Sequence, residues 1–188
     1  MAIKTFTTGE VLTAADTNTY LANSGLVYIS TTSFSGGSTA QFTSCFTSTY
    51  TNYRALVSYT SAAGNAAYIR LLVGSTAQSD NILSFVSGAT YAAPATLVGS
   101  SRGDNYSLFS AVYPTYPTNA SIEFFSPQVV AYTGISGLIN PMDAVGSTFG
   151  LNYFARSTVT KQIDGFEITT AGATNIAGTM TLYGYRKA

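Results

Sequence analysis

Two carboxylates three residues apart, Asp164 and Glu167, form the closest acid pair that could flank a glycosidic bond, one as proton donor and the other as nucleophile or base. Their offset places them on opposite faces of an extended strand, so a shared site requires a bulge near Gly165. The alternative is a pair of solvated turn and strand charges that pair with Arg156 or Lys161. No other constellation supports catalysis. The chain has no His and a single Cys, so a Ser or Cys nucleophile would need Lys4, Lys161, Lys187 or a carboxylate as its base. The same counts exclude multi-Cys metal cages and a disulfide framework. There is no Gly-x-Gly-x-x-Gly cradle and no phosphate loop. Cys45, flanked by Phe42 and Phe46, reads as a small buried or half-buried strand residue. The expectation is a protein that is not an enzyme and uses no cofactor or metal.

Shorter motifs say less. Arg102-Gly103-Asp104 resembles the integrin-binding tripeptide, but in a Gly/Ser-rich stretch it reads as a turn. Asn105-Tyr-Ser107 and Asn119-Ala-Ser121 fit the glycosylation pattern and read as exposed loops. Asp80-Asn81 and Asp104-Asn105 supply oxygen ligands without the twelve-residue loop of a calcium-binding hand. Between Val112 and Asn119, two Tyr-Pro pairs stiffen the chain, and Tyr113 and Tyr116 are the candidate recognition residues, because rigid aromatic rings stack on sugars and dominate interfaces. The competing reading is that both rings cover the rim of the core.

Composition narrows the class. At 188 residues the chain suits one domain, or one domain with a short appended element. Charged residues are only 9%, against about 25% in ordinary soluble proteins. Eight basic residues balance eight acidic ones, so no field steers the chain toward nucleic acid. A chain without net repulsion tends to associate, which points to life in an assembly. Ser and Thr are roughly a quarter of the residues, beside 17 Gly and 14 Tyr, a mixture suited to strands and turns. The first ten residues lack an apolar run, and no stretch of about 18 apolar residues exists, so neither a secretory signal nor membrane insertion is expected.

The elements follow from periodicity. Thr13-Ala-Ala-Asp16 fits a capping box, with Leu12 at the staple position and Gly25 as a stop, and predicts a short helix over 14–23. Its apolar groups, Ala15, Tyr20 and Leu21, are too few to stabilise it alone, so it needs a surface to lie against. Beyond Gly25 the period becomes two, with turn clusters at 35–38, 62–65, 99–104, 114–117 and 171–174. Tyr53, Ala55, Val57 and Tyr59 alternate with Arg54 and Ser58, and Ala67, Ile69, Leu71 and Val73 alternate with Tyr68 and Arg70. Further strands are expected over 108–113, 121–125, 149–155, 165–169 and 179–185. Around eight strands predict an all-β, jelly-roll-like antiparallel β-sandwich over residues 27–188, preceded by a docking segment with a short helix over residues 1–26.

The leader Lys4-Thr-Phe-Thr-Thr-Gly-Glu-Val-Leu-Thr-Ala-Ala-Asp-Thr-Asn-Thr-Tyr-Leu-Ala-Asn23 resembles the N-terminal segment of many structural proteins of tailed bacteriophages, especially minor tail and fibre-like proteins. The pattern Phe-x-x-Gly-Glu-Val-Leu-Thr-Ala-Ala-Asp-x-Asn-x-Tyr-Leu is matched in place from Phe6 to Leu21. Segments 46–56 and 67–71 and the ending Gly178-Thr-Met-Thr-Leu-Tyr-Gly-Tyr185 look like the β-rich domain that often follows this leader. The resemblance implies a virion protein without catalytic residues, assembled in the host cytoplasm. Its leader would dock on other virion structural proteins through Phe6, Val11, Leu12, Tyr20 and Leu21. Its β domain would project outward, commonly as a homotrimer, with a host-surface glycan or receptor as a further partner. Unlike longer fibre proteins, the chain has no coiled-coil shaft and no glycine-repeat fibre. That keeps a capsid decoration or head-fibre role open, with a glycan depolymerase as a distant third.

Overall fold

Alternation of apolar and polar side chains decides the architecture. A computed structural model describes residues 7–16, 25–63, 66–78, 82–90, 96–104, 107–111, 116–140, 150–157, 160–170, 172 and 174–186. A one-turn helix α1 (Ala14–Asp16) precedes β1 (Leu26–Gly37), β2 (Thr39–Phe42), β3 (Tyr50–Ser61), β4 (Ala66–Val73), β5 (Thr76–Ala77), β6 (Ile82–Thr90) and β7 (Thr96–Asp104). Then come β8 (Ser107–Ala111), β9 (Thr118–Phe125), β10 (Gly134–Asn140), β11 (Gly150–Ser157), β12 (Gly165–Thr170) and β13 (Ile176–Arg186). Eight strands form a large sheet in the order β1-β13-β3-β9-β10-β11-β6-β7. A smaller sheet runs β2-β12-β4-β5, with β8 also on β4. Pairing is antiparallel throughout, and the result is the all-β sandwich expected from the period-two pattern. The chain crosses between sheets at β1 to β2, β2 to β3, β3 to β4, β5 to β6, β7 to β8, β8 to β9, β11 to β12 and β12 to β13, which is its jelly-roll-like character.

The predicted inward faces are the buried ones. Tyr53, Ala55, Val57 and Tyr59 on β3 and Ala67, Ile69 and Leu71 on β4 all lie in the core. Their strand neighbours add Ile122 and Phe124 of β9 and Met180 and Leu182 of β13 in the large sheet, and Phe166 and Ile168 of β12 in the small one. Aromatic rings join the sheets: Phe46 lies 4.7 Å from Tyr53, 4.9 Å from Phe124 and 5.9 Å from Phe166, centroid to centroid. Phe42 and Phe34 extend this cluster toward the β1 edge. Ile29 is an extra residue in β1 between Tyr28, paired with Tyr183, and Ser30, paired with Leu182. This bulge turns Ile29 toward the core while leaving Tyr28 outside.

Several expectations change. The strands are more numerous than the eight anticipated, because Gly- and Ser-rich segments pair as well as the amphipathic ones. Residues 99–104, read as a turn, lie in β7, where Gly99 pairs with Ser87 and Asp104 with Ile82. Ladder hydrogen bonds to β6 hold that segment extended despite its turn-like composition. Val73 is exposed at the end of β4, and Leu72, its neighbour, is fully buried instead. Cys45 sits in the loop after β2 rather than on a strand. Within the predicted helix 14–23, α1 covers Ala14–Asp16, and 17–23 lie outside the described residues.

Gly178 of β13 lies against the β3 backbone, where an added Cβ would collide with Ser58 O and with Tyr59. Gly150 faces open space. Gly178→Ala is expected to cost about 3 kcal/mol of unfolding free energy, and Gly150→Ala to stay within about 0.5 kcal/mol. Urea denaturation of the two variants checks the contrast.

Candidate docking and recognition surfaces

The leader is organised before anything covers it. Thr7 to Glu10 form a turn closed by the Glu10 N–H donating to Thr7 O at 3.0 Å, with Gly9 at φ +88° in the position where a type II turn demands a positive angle. The Glu10 carboxylate in return accepts from the Thr7 N–H at 3.1 Å. The predicted capping box is present. Asp16 N–H donates to Thr13 Oγ1 at 3.1 Å, and Asp16 Oδ2 accepts from the Thr13 N–H at 3.2 Å and from its hydroxyl at 2.6 Å. Between these motifs, Val11 is 78% and Leu12 49% exposed. Of the five predicted docking residues, Phe6, Tyr20 and Leu21 lie outside the described residues.

The two acids singled out above do not form a solvated pair. Glu167 on β12 is 1% exposed, on the side of the small sheet facing away from the core. Its register neighbours are Gln41 on one side and Arg70 on the other. Gln41 Nε2 donates to Glu167 Oε2 at 2.8 Å, and Arg70 Nη2 forms an ion pair with Oε1. Gln41 also reaches Ser75 O, so the carboxylate is roofed by its own partners and closed to a substrate. Asp164 has different partners: its Oδ2 accepts from the Gly74 N–H at 2.8 Å, and its backbone bonds Phe46 and Leu72. The expected partners are engaged elsewhere, with Arg156 over the Tyr132 ring and Lys161 donating to Gln78.

Other predicted sites are dispersed. Tyr116 is half-buried and Tyr113 lies outside the described residues. Arg102-Gly103-Asp104 is strand, not loop, and Asn119-Ala-Ser121 lies within β9. Among the described residues no group of three His, Cys, Asp or Glu side chains converges on a metal position. Burial pushes the Cys45 thiol up to about 12, and its Sγ donates to Phe42 O.

The outward side of the large sheet carries exposed apolar side chains that the sequence reading passed over. Thr181, Leu56, Ser121, Leu138 and Asn152 form one cross-strand row from β13 to β11. The next row runs Tyr28, Tyr183, Arg54, Glu123, Ser136 and Phe154. A groove of about 400 Å³ lies beside the first row, between Leu56, Ser58, Asn119, Leu138, Asn140 and Thr179. Arg54 and Glu123 pair directly across β3 and β9, and this hydrogen bond raises the guanidinium above its ordinary value. Tyr185 beside them is also raised, first by burial and then by Glu123. The missed signal was a Leu at position 56, on the polar side of the 53–59 alternation.

No protein-family model matches the chain, and no curated protein or solved structure matches it.

Two measurements follow. Glu167→Gln leaves Arg70 without its counter-charge and is expected to cost about 3 kcal/mol. Glu123→Gln, whose Arg54 partner is 38% exposed, should cost under about 1 kcal/mol in the same denaturation assay. The Cys45 thiol should resist aromatic disulfide reagents at mildly alkaline pH in the native protein and react once guanidinium unfolds it. Because its folded value of about 12 lies above the ordinary 9.0, the stability this thiol contributes is complete below pH 9.0. It is lost as pH rises toward 12.

Proposed function

We propose that this chain is a non-enzymatic structural protein of a tailed-phage virion, docked by its N-terminal segment on a neighbouring virion subunit. The sandwich projects from that anchor, as a homotrimer, in a tail or fibre-type position from which it can touch the host surface. The observation that carries the reading is the leader. Its motif from Phe6 to Leu21 resembles phage tail leaders, and within it Val11 and Leu12 stand exposed on a backbone already set by a Gly9 turn and a Thr13–Asp16 capping box. A pre-shaped segment with uncovered apolar side chains loses little further entropy when a partner covers it. Electroneutrality across the chain agrees with extensive subunit contacts.

A decoration or head-fibre role on the capsid is the second reading. It is favoured by β1 beginning at Leu26, which leaves no length for a shaft between leader and sandwich. In either position the host glycan or receptor contact falls to the sandwich, with Tyr113 and Tyr116 as the loop residues to test.

Deleting residues 1–23 is expected to leave a folded β domain that no longer joins particles. Incorporation of the truncated protein at the wild-type level would overturn the docking assignment. Quantitative mass spectrometry of purified particles, referenced to the major capsid protein, separates the two positions. A small count matching tail symmetry places the protein on the tail, and a count scaling with the capsid lattice places it on the shell.

A further inference from the structure

We propose that the β1 edge of the sandwich is a strand-addition site. It takes an extended, uncharged segment of another polypeptide and seats an apolar side chain of that segment in the opening between β1 and β2.

β1 is the terminal strand of the large sheet and β2 the terminal strand of the small one. Only Ser38 separates them in the chain, so both flank the same side of the sandwich. Among the described residues no strand pairs with the outer edge of either. A terminal strand presents a row of unpaired N–H and C=O groups, which proteins ordinarily guard with charged side chains, proline or bulges. Neither a charged residue nor a proline occurs anywhere from Leu26 to Tyr53. The bulge at Ile29 and the register shift after Phe34 leave Ser30 to Phe34 in unbroken register with β13. That stretch is about the length of an average strand.

The inner side of this edge is open as well. Thr32 pairs with Met180, a core residue, and so faces the interior side of the large sheet, yet it is exposed. An opening of about 380 Å³ lies there. Its lining combines Ile29, Phe42 and Met180 with the hydroxyls of Ser30, Thr32 and Thr43, and includes no charged residue.

These two features select the occupant. Unpaired backbone groups at strand spacing are complemented by another extended backbone, which neither a glycan nor a lipid supplies. Side chains of an added strand alternate, so every second one turns toward the opening. Main-chain hydrogen bonds then give affinity, and the opening selects the side chain. A second copy of β1 would bring the hydroxyls of Ser30 and Thr32 to this position and leave the apolar lining uncovered.

The test is fluorescence anisotropy of the full chain with labelled heptapeptides that alternate Thr with Val, Leu, Phe or Asp. Fully N-methylated counterparts keep the side chains and lose every amide donor. At least one apolar peptide is expected to bind, and its N-methylated form and the Asp peptide to bind at least about tenfold more weakly. Thr32→Lys, at the edge, and Thr43→Lys, across the opening, should weaken the apolar peptide by a similar factor, with far-UV circular dichroism confirming each fold. Both side chains are exposed, and either variant suffices should the other fail to fold. No binding by any apolar peptide, equal binding by its N-methylated form, or unchanged binding by the folded variants would overturn the proposal. So would a wild type that sediments as a dimer and a Thr32→Lys variant that sediments at 19.7 kDa, since β1 is then taken by its own copy.

Discussion

The rings of Phe42, Phe46, Phe124 and Phe166 hold the two sheets together, and the rest of the molecule depends on that contact. Phe124 and Phe166 approach to 4.7 Å across the interior, and Phe46 meets both from a loop. Once these rings are inside, the pleat sends every second residue of β3, β9 and β12 outward. The exposed rows on the large sheet are therefore a consequence of the core. Phe46 also ties the loop after β2 to the rest of the sandwich, because its N–H donates to Asp164 O just before β12. The same packing brings Cys45 into a dry setting and keeps its thiol protonated.

A chain with so few charges uses them as internal fasteners. Among the described residues each sheet carries one Arg–Glu pair at directly opposed strand positions, Arg54 with Glu123 and Arg70 with Glu167. They differ in burial rather than geometry. Glu167 is roofed by Gln41 and Arg70, whereas Glu123 keeps some contact with water. Both pairs lie on the outward faces of their sheets, where each cancels its own charge.

Legibility followed side-chain contrast. Strands with strong alternation, such as Tyr53 to Tyr59 and Ala67 to Leu71, were readable because their apolar set must face one way. The capping box was equally readable, since Thr13 and Asp16 satisfy each other's backbone locally. The stretch 99–104 was misread because Gly, Ser and Asp favour turns by their own energetics, and only the ladder to β6 outweighs them. Glu167 was misread because its setting comes from residues far away in sequence: Gln41 lies 126 positions from it, and Arg70 reaches it only through the β4–β12 register.

The sequence by itself determined the class of fold, the inward residues of the amphipathic strands and the helix start at Thr13. These depend on residue type and spacing over a few positions, where sterics and local hydrogen bonds act alone. Only the tertiary structure decided which strands are neighbours, which carboxylate is buried, and that Leu56, Leu138 and Phe154 share one outward face. Those facts arise from pairings between strands distant in the chain, and the free energy of such a pairing belongs to both partners, so neither segment carries it alone.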